Sequence, residues 1–234
     1  LGLLGALLLA VALVFLRRAR AGFGALVYLL PPAYVFLASV ASSYNIGVRH
    51  VLPAVPFLAV GAAVSIVRGL PRGAAAAALL GLGLLQAAET LAVHPHEVSF
   101  FNLAAGGPAN GSSWLNDSNL DWGQDLVRLA RELERRGEAA GTTVAYFGGA
   151  YPPYHLPGAR FFDAATTPLG PGLYAVSSFL LAAGPELMLF HGDAARAAGY
   201  ARLRGVLRER GKPEGRVGYS IFLFRLSDER IPPP

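Results

Sequence analysis

Charged side chains are missing from four long stretches at the start of the chain. Residues 1–16, 21–48, 51–67 and 73–88 contain no Asp, Glu, Lys or Arg. A helix needs about 20 apolar residues to cross the hydrocarbon core of a bilayer. The second stretch is ample, and the fourth reaches that length if Glu89 lies near the interface. The third carries Pro53 and Pro56 in its first turns, where proline costs little because those positions have no intrahelical donor to lose. The first begins at Leu1, already inside an apolar run, and predicts more chain upstream. None of the four has the polar face that a buried helix of a soluble protein would keep.

After Val93 the pattern changes. Residues 94–114, "HPHEVSFFNLAAGGPANGSSW", form a connector punctuated by Gly, Pro and Ser. "DWGQDLVRLARELERR" then reads as an amphipathic helix with Leu126, Leu129, Ala130 and Leu133 on one face. Asp121 and Gln124 have the spacing of a capping box, with Asp121 as N-cap. Apolar runs at 142–149, 172–181 and 217–226 predict three strands, and Ala194–Arg210 predicts a second helix. The expected architecture is a polytopic α-helical membrane region of about four spans (1–93), followed by a small extracytoplasmic α/β domain (94–234).

Charge adds an orientation. The net charge of +5 resides entirely in residues 1–93, which hold six arginines and one glutamate. The remainder is neutral overall, so the basic balance marks membrane edges and excludes a nucleic-acid patch. Arg17, Arg18 and Arg20 follow the first stretch; Arg68 and Arg72 separate the third from the fourth. With four spans these two loops share a side, and the positive-inside rule makes it the cytoplasm. "SSYNIGVRHVLP" and everything after Val93 then face outward from the cell's inner membrane. Cysteine is absent, which removes disulfides and thiolate chemistry.

Two places carry candidate chemistry. Arg49 and His50 place polar groups at the outer end of the second and third stretches, against the usual bias. Arginine can fork onto phosphate oxygens while histidine donates another hydrogen bond, which suits a lipid-linked phosphate. Snorkelling of Arg49 to ordinary headgroups is the other reading. Tyr44 and Asn45, in the same segment, are candidate cleft residues. The second place is "NDSNLDWGQDL", Asn116 to Leu126. An EF-hand register from Asp117 puts Trp122 where glycine is needed and Arg128 where the bidentate glutamate belongs, so that reading fails. Asp117, Asn119 and Trp122 then form either a sugar platform, with a ring face beside amides and carboxylate, or a polar turn with Trp122 at the membrane interface. In His94-Pro95-His96-Glu97 the proline breaks the helical spacing of a zinc motif, leaving a juxtamembrane turn. No Walker or Rossmann phosphate loop and no Gly-x-Ser-x-Gly elbow occurs.

Taken in order, "YNIGVRHVLPAVPFL", "HPHEVSFFN", "DSNLDWGQDL", "YFGGAYPPY" and "VGYSIFLFRL" resemble the C-terminal part of bacterial membrane glycosyltransferases. These are the family-39-like or protein-mannosyltransferase-like members of the GT-C superfamily. The resemblance implies transfer of a sugar from a polyprenyl-phosphate carrier to an acceptor on the outer face. It gives Arg49 and His50 the carrier phosphate by analogy, and places the catalytic carboxylate in a first outer loop upstream of Leu1. No residue of this chain is assigned to catalysis or to a metal. A divalent cation is used by some members and not others, and the acceptor is undefined. A non-catalytic membrane-tethered binding or assembly module, or a transporter of lipid-linked sugars, are the alternatives.

Overall fold

The computed structural model describes residues 5, 7–11, 24–42, 47–116 and 119–227. The chain divides into two compact units, Leu1–Gly107 and Pro108–Pro234. The connector that follows Val93 therefore groups largely with the helical unit.

The helical unit contains α1 (Gly24–Ala41), α2 (Val55–Gly69) and α3 (Arg72–Val93), with 3-10 turns at Gly47–His50 and Leu52–Ala54 leading into α2. Among the described residues two helices are long and apolar enough to cross a membrane, Leu52–Gly69 and Arg72–Val93. Four were expected. The apolar part of α1, Leu26–Ala41, is shorter than that length, and most of the first predicted stretch lies outside the described residues. Pro53 and Pro56 fall in the opening turns of the 3-10 segment and of α2, where they interrupt no hydrogen-bond ladder. A Cβ on Gly61 would come within 3.1 Å of Tyr28 Cβ, so this glycine lets α2 approach α1 closely. Ile66 is buried against Ala75, Leu79 and Leu82 of α3. The other faces stay apolar and uncovered, as at Leu84, 61 % exposed. Glu89, expected near the interface, is buried and accepts a hydrogen bond of 3.0 Å from Leu103 N–H. That bond ties the end of α3 to the turn Leu103–Ala105.

The second unit is built on a five-stranded mixed sheet. Its strands are β1 (Thr143–Ala145), β2 (Arg160–Phe161), β3 (Gly172–Ser177), β4 (Lys212–Val217) and β5 (Ile221–Leu226), in the order β2-β1-β3-β5-β4. β1 is parallel to both β2 and β3, whereas β5 is antiparallel to β3 and β4. The helices are α4 (Leu126–Arg136), a single turn α5 (Pro152–His155), α6 (Ser178–Phe190) and α7 (Ala194–Arg210). Strand alternation divides the core between the two faces. Leu173 and Ala175 of β3 join Leu126, Leu129 and Leu133 of α4, while Tyr174 and Val176 join Leu180 of α6 and Leu203 and Leu207 of α7. The sheet is thus a middle layer between α4 and the α6–α7 pair.

Three sequence expectations change. The run 172–181 was expected to be one strand, but the strand stops at Ser177 and α6 begins at Ser178. There Phe179 N–H points at the Asp121 carboxylate (3.4 Å), and a negative group at a helix N-terminus is favourable. The run 217–226 splits at Gly218, whose left-handed φ of +57° turns β4 into β5. The helix expected from Asp121 starts instead at Leu126, with Asp125 at the N-cap position. The capping box does not form, because the Asp121 carboxylate is directed into the fold and Gln124 bonds locally to Trp122 N–H and Leu120 C=O. By contrast α7 covers the expected Ala194–Arg210, capped by Asp193 accepting from Arg196 N–H at 2.9 Å.

Candidate functional site

In the helical unit, Arg49 and His50 sit on the 3-10 turn Gly47–His50 between α1 and α2. Ser39 of α1 holds this turn: its Oγ lies 2.7 Å from Val35 O and 3.3 Å from His50 O. The Nε2 atom of His50 is buried and makes no hydrogen bond among the described residues. A buried polar group left so costs about 1–3 kcal/mol unless a ligand or water engages it. The turn therefore carries an arginine and a histidine at consecutive positions. Tyr44 and Asn45 lie outside the described residues, as does Asp117. His94 and Glu97 pair side chain to side chain across their turn, and the hydrogen bond from His94 holds the Glu97 carboxyl below its ordinary range. Among the described residues no group of three His, Cys, Asp or Glu could hold a metal ion.

In the sheet unit, residues 119–126 form a strap across the carboxyl ends of β1 and β3. Asp121 is buried beneath the strap. Its Oδ1 accepts from Gly123 N–H (2.9 Å), and its Oδ2 accepts from Ser177 Oγ and from Phe179 N–H (3.4 Å). Asp125 is buried as well, with Oδ1 accepting from Arg128 Nη1 (2.6 Å) and Oδ2 from Ser220 Oγ (2.8 Å). Ser178 Oγ donates to Asn116 Oδ1, and Tyr146 Oη donates to Gly123 O at 3.0 Å. Two glycines make room for that tyrosine. A Cβ on Gly123 or on Gly148 would stand 2.2 or 2.3 Å from Tyr146 Oη, and both glycines adopt positive φ. Asn116 and residues 119–126, 146–148, 177–179 and 218–220 therefore meet at one place.

The polar residues around Trp122 are drawn into this convergence. Asp121 faces inward, Gln124 is engaged locally, Asn116 bonds Ser112 O and Ser178, and Asn119 Nδ2 donates to Asn116 O at 3.2 Å. Trp122 is 54 % exposed, and among the described residues Asn116, Asn119, Asp121 and Gln124 each make hydrogen bonds within the fold. Asp117, the third residue of the expected platform, is not among the described residues. Nor is Asp121 placed to act as a base, since at 1 % exposure it cannot reach an acceptor hydroxyl.

Burial pushes the Asp121 carboxyl above its ordinary value, and the nearby Asp125 adds to the rise, against the donors that favour the charged form. A raised carboxyl favours the folded unit most below its unfolded value, near pH 4, and that contribution is lost as pH rises through the folded value. Asp121→Asn removes this dependence. Thermal melts of wild type and variant between about pH 4 and 7 should diverge in slope, with the wild type losing more stability as pH rises. Parallel curves would show that Asp121 is not the group responsible.

Comparison with protein families, with curated proteins and with solved structures found no match.

Proposed function

We propose that this chain works within a membrane glycosyltransferase, where a sugar passes from a polyprenyl-phosphate carrier to an acceptor at the outer face of the inner membrane. The observation that supports this reading most directly is the turn Gly47–His50. It leads into an apolar helix and carries Arg49 next in sequence to His50, whose Nε2 is buried without a protein partner among the described residues. A phosphate monoester or diester is the chemistry that both groups match: the guanidinium forks onto two oxygens, and Nε2–H donates to a third. In a transfer reaction the same contacts would meet the charge that grows on the phosphate as the glycosidic bond breaks.

In this reading the described residues bind and position, and the proton-accepting carboxylate is neither Asp121 nor Asp125. Both are spent inside the sheet unit on bonds to serines, an arginine and backbone N–H groups. The ordered motifs that carry the resemblance to GT-C enzymes include those that converge around these aspartates. Their place in the reading is to build the folded unit beside the membrane.

Binding of undecaprenyl phosphate by the full chain in detergent micelles tests the assignment. Charge-assisted hydrogen bonds contribute about 1.5–3 kcal/mol each, so Arg49→Ala should raise Kd by roughly tenfold or more. Arg68→Ala, at the far end of α2, should leave it unchanged. Wild-type affinity in Arg49→Ala would sink the carrier-phosphate role.

A further inference from the structure

Several aromatic rings of the sheet unit are exposed, and three of them lie near the carboxyl end of β1 in sequence or through the bond from Tyr146. The connection leaving the carboxyl end of β1 carries Tyr151 and Tyr154, which are 72 % and 81 % exposed, and Trp122 stands on the strap that Tyr146 fastens to that same end. From Val144 through Ala159 the sequence contains no Asp, Glu, Lys or Arg. Charge is concentrated elsewhere. On α4, Glu132 sits between Arg135 and Arg136, whose hydrogen bonds hold its carboxyl down to about 2. On the β4–β5 edge, Arg225 bridges Glu138 and Glu214.

Exposed Trp and Tyr rings match two kinds of partner. A glycan needs hydrogen-bond donors and acceptors around the ring, and among the described residues Asn116, Asn119, Asp121 and Gln124 already bond within the fold. The headgroup region of a bilayer needs only an amphipathic ring with an apolar body and a polar tip, which is why Trp and Tyr form belts there. The chain supplies such a surface itself. α3, long and apolar enough to cross a membrane, ends at Val93, and the sheet unit opens at Pro108. Fourteen intervening residues reach at most about 50 Å when fully extended, which confines the unit to the neighbourhood of the bilayer.

We infer that the surface formed by Trp122, Tyr151 and Tyr154 contacts the headgroup region of the membrane that carries this chain. The inference rests on the membrane-spanning reading of α2 and α3. The contact fixes which side of the sheet unit faces the lipid: the carboxyl ends of the parallel strands turn toward the bilayer, and the charged outer side of α4 turns toward water. The rings settle at the level of the phosphates, where their polar tips stay hydrated.

The chain contains no cysteine, so single-cysteine variants can be spin-labelled without background. Tyr151→Cys, Tyr154→Cys, Glu134→Cys and Leu84→Cys would each be made in the full chain. All would be reconstituted in vesicles of phosphatidylcholine and phosphatidylglycerol. Collision with dissolved oxygen reports lipid, and collision with a water-soluble nickel chelate reports water. Labels at 151 and 154 should gain oxygen collisions and lose most nickel collisions relative to the label at 134 on α4. A label at 151 as open to nickel as the one at 134 overturns the inference, provided that position 84 on α3 reports lipid. A label at 84 that reports water overturns the membrane reading, and this inference with it. A label at 151 shielded from both reagents indicates a protein partner, such as a second copy, and also overturns it.

Discussion

Gly199→Ala should destabilise the sheet unit by about 2 kcal/mol or more, although alanine is the better helix former. A Cβ at position 199 would lie 1.7 Å from the carbonyl oxygen of Ala164 and 2.5 Å from its carbonyl carbon. Both are backbone atoms, so no side-chain rotation relieves the overlap. Either α7 or the segment around Ala164 must move, and overpacking of this kind costs roughly 1–3 kcal/mol and sometimes more. The gain in helix propensity is about 1 kcal/mol. The clash therefore wins. The same helix provides the opposite case, because a Cβ on Gly205 meets nothing within 4 Å. Gly205→Ala should stabilise by roughly 0.5–1 kcal/mol. Chemical denaturation of the two variants should give shifts of opposite sign. Equal shifts would mean that propensity, not the approach to Ala164, governs both positions.

Asp125→Ala should cost about 2–4 kcal/mol. Breaking a fully buried ion pair typically costs roughly 3–5 kcal/mol because one charge is left stranded. Here the stranded partner, Arg128, keeps a third of its side chain exposed and can regain water, which lowers that figure. Ser220 is fully buried and loses its acceptor, which adds about 1–3 kcal/mol if nothing replaces it. Asp125→Asn retains an oxygen for the serine and should recover part of the loss. A denaturation midpoint for Asp125→Ala within experimental error of wild type would mean that the strap does not depend on this carboxylate.

What could be read from the sequence follows a physical division. Features set by neighbours along the chain were legible. Uncharged stretches marked the helices that became α2 and α3, and the Ala, Leu and Arg pattern gave α7 its full extent. Length was less secure, since the apolar part of α1 ends short of a full crossing. Features set by distant partners were not legible. Asp121 and Gln124 have the spacing of a capping box, yet the partner that draws Asp121 inward is Ser177, 56 residues away. Asp125 likewise meets Ser220 across 95 residues. The apolar run at 172–181 could not disclose its change from strand to helix, because a short apolar stretch satisfies both periods. Ser177 and Ser178 were the available signal, as residues suited to a helix start. Gly184 and Pro185 masked it: they look like a break but lie buried inside α6. Gly184 meets Tyr200 of α7 closely, with its Cβ position 3.0 Å from the ring.

For the candidate site, residue type was the readable part. Arg49 and His50 stand out by their position at the edge of an apolar stretch, where phosphate binding and snorkelling are the two readings. Trp122 is exposed, and only the folded arrangement shows that Asp121 beside it is buried.

The strand order carries a consequence for how the sheet unit is completed during synthesis. β5 is the last of the described strands in sequence, yet it lies inside the sheet, between β3 and β4. Its side chains enter both core clusters, Ile221 and Leu223 on one face and Leu226 on the other. Until residues 221–226 emerge, β3 has an open edge and β4 has no partner. Unpaired edges of that kind are templates for association with other chains. The vulnerable interval during synthesis is thus the one before β5 is made, the strand that closes the sheet from within.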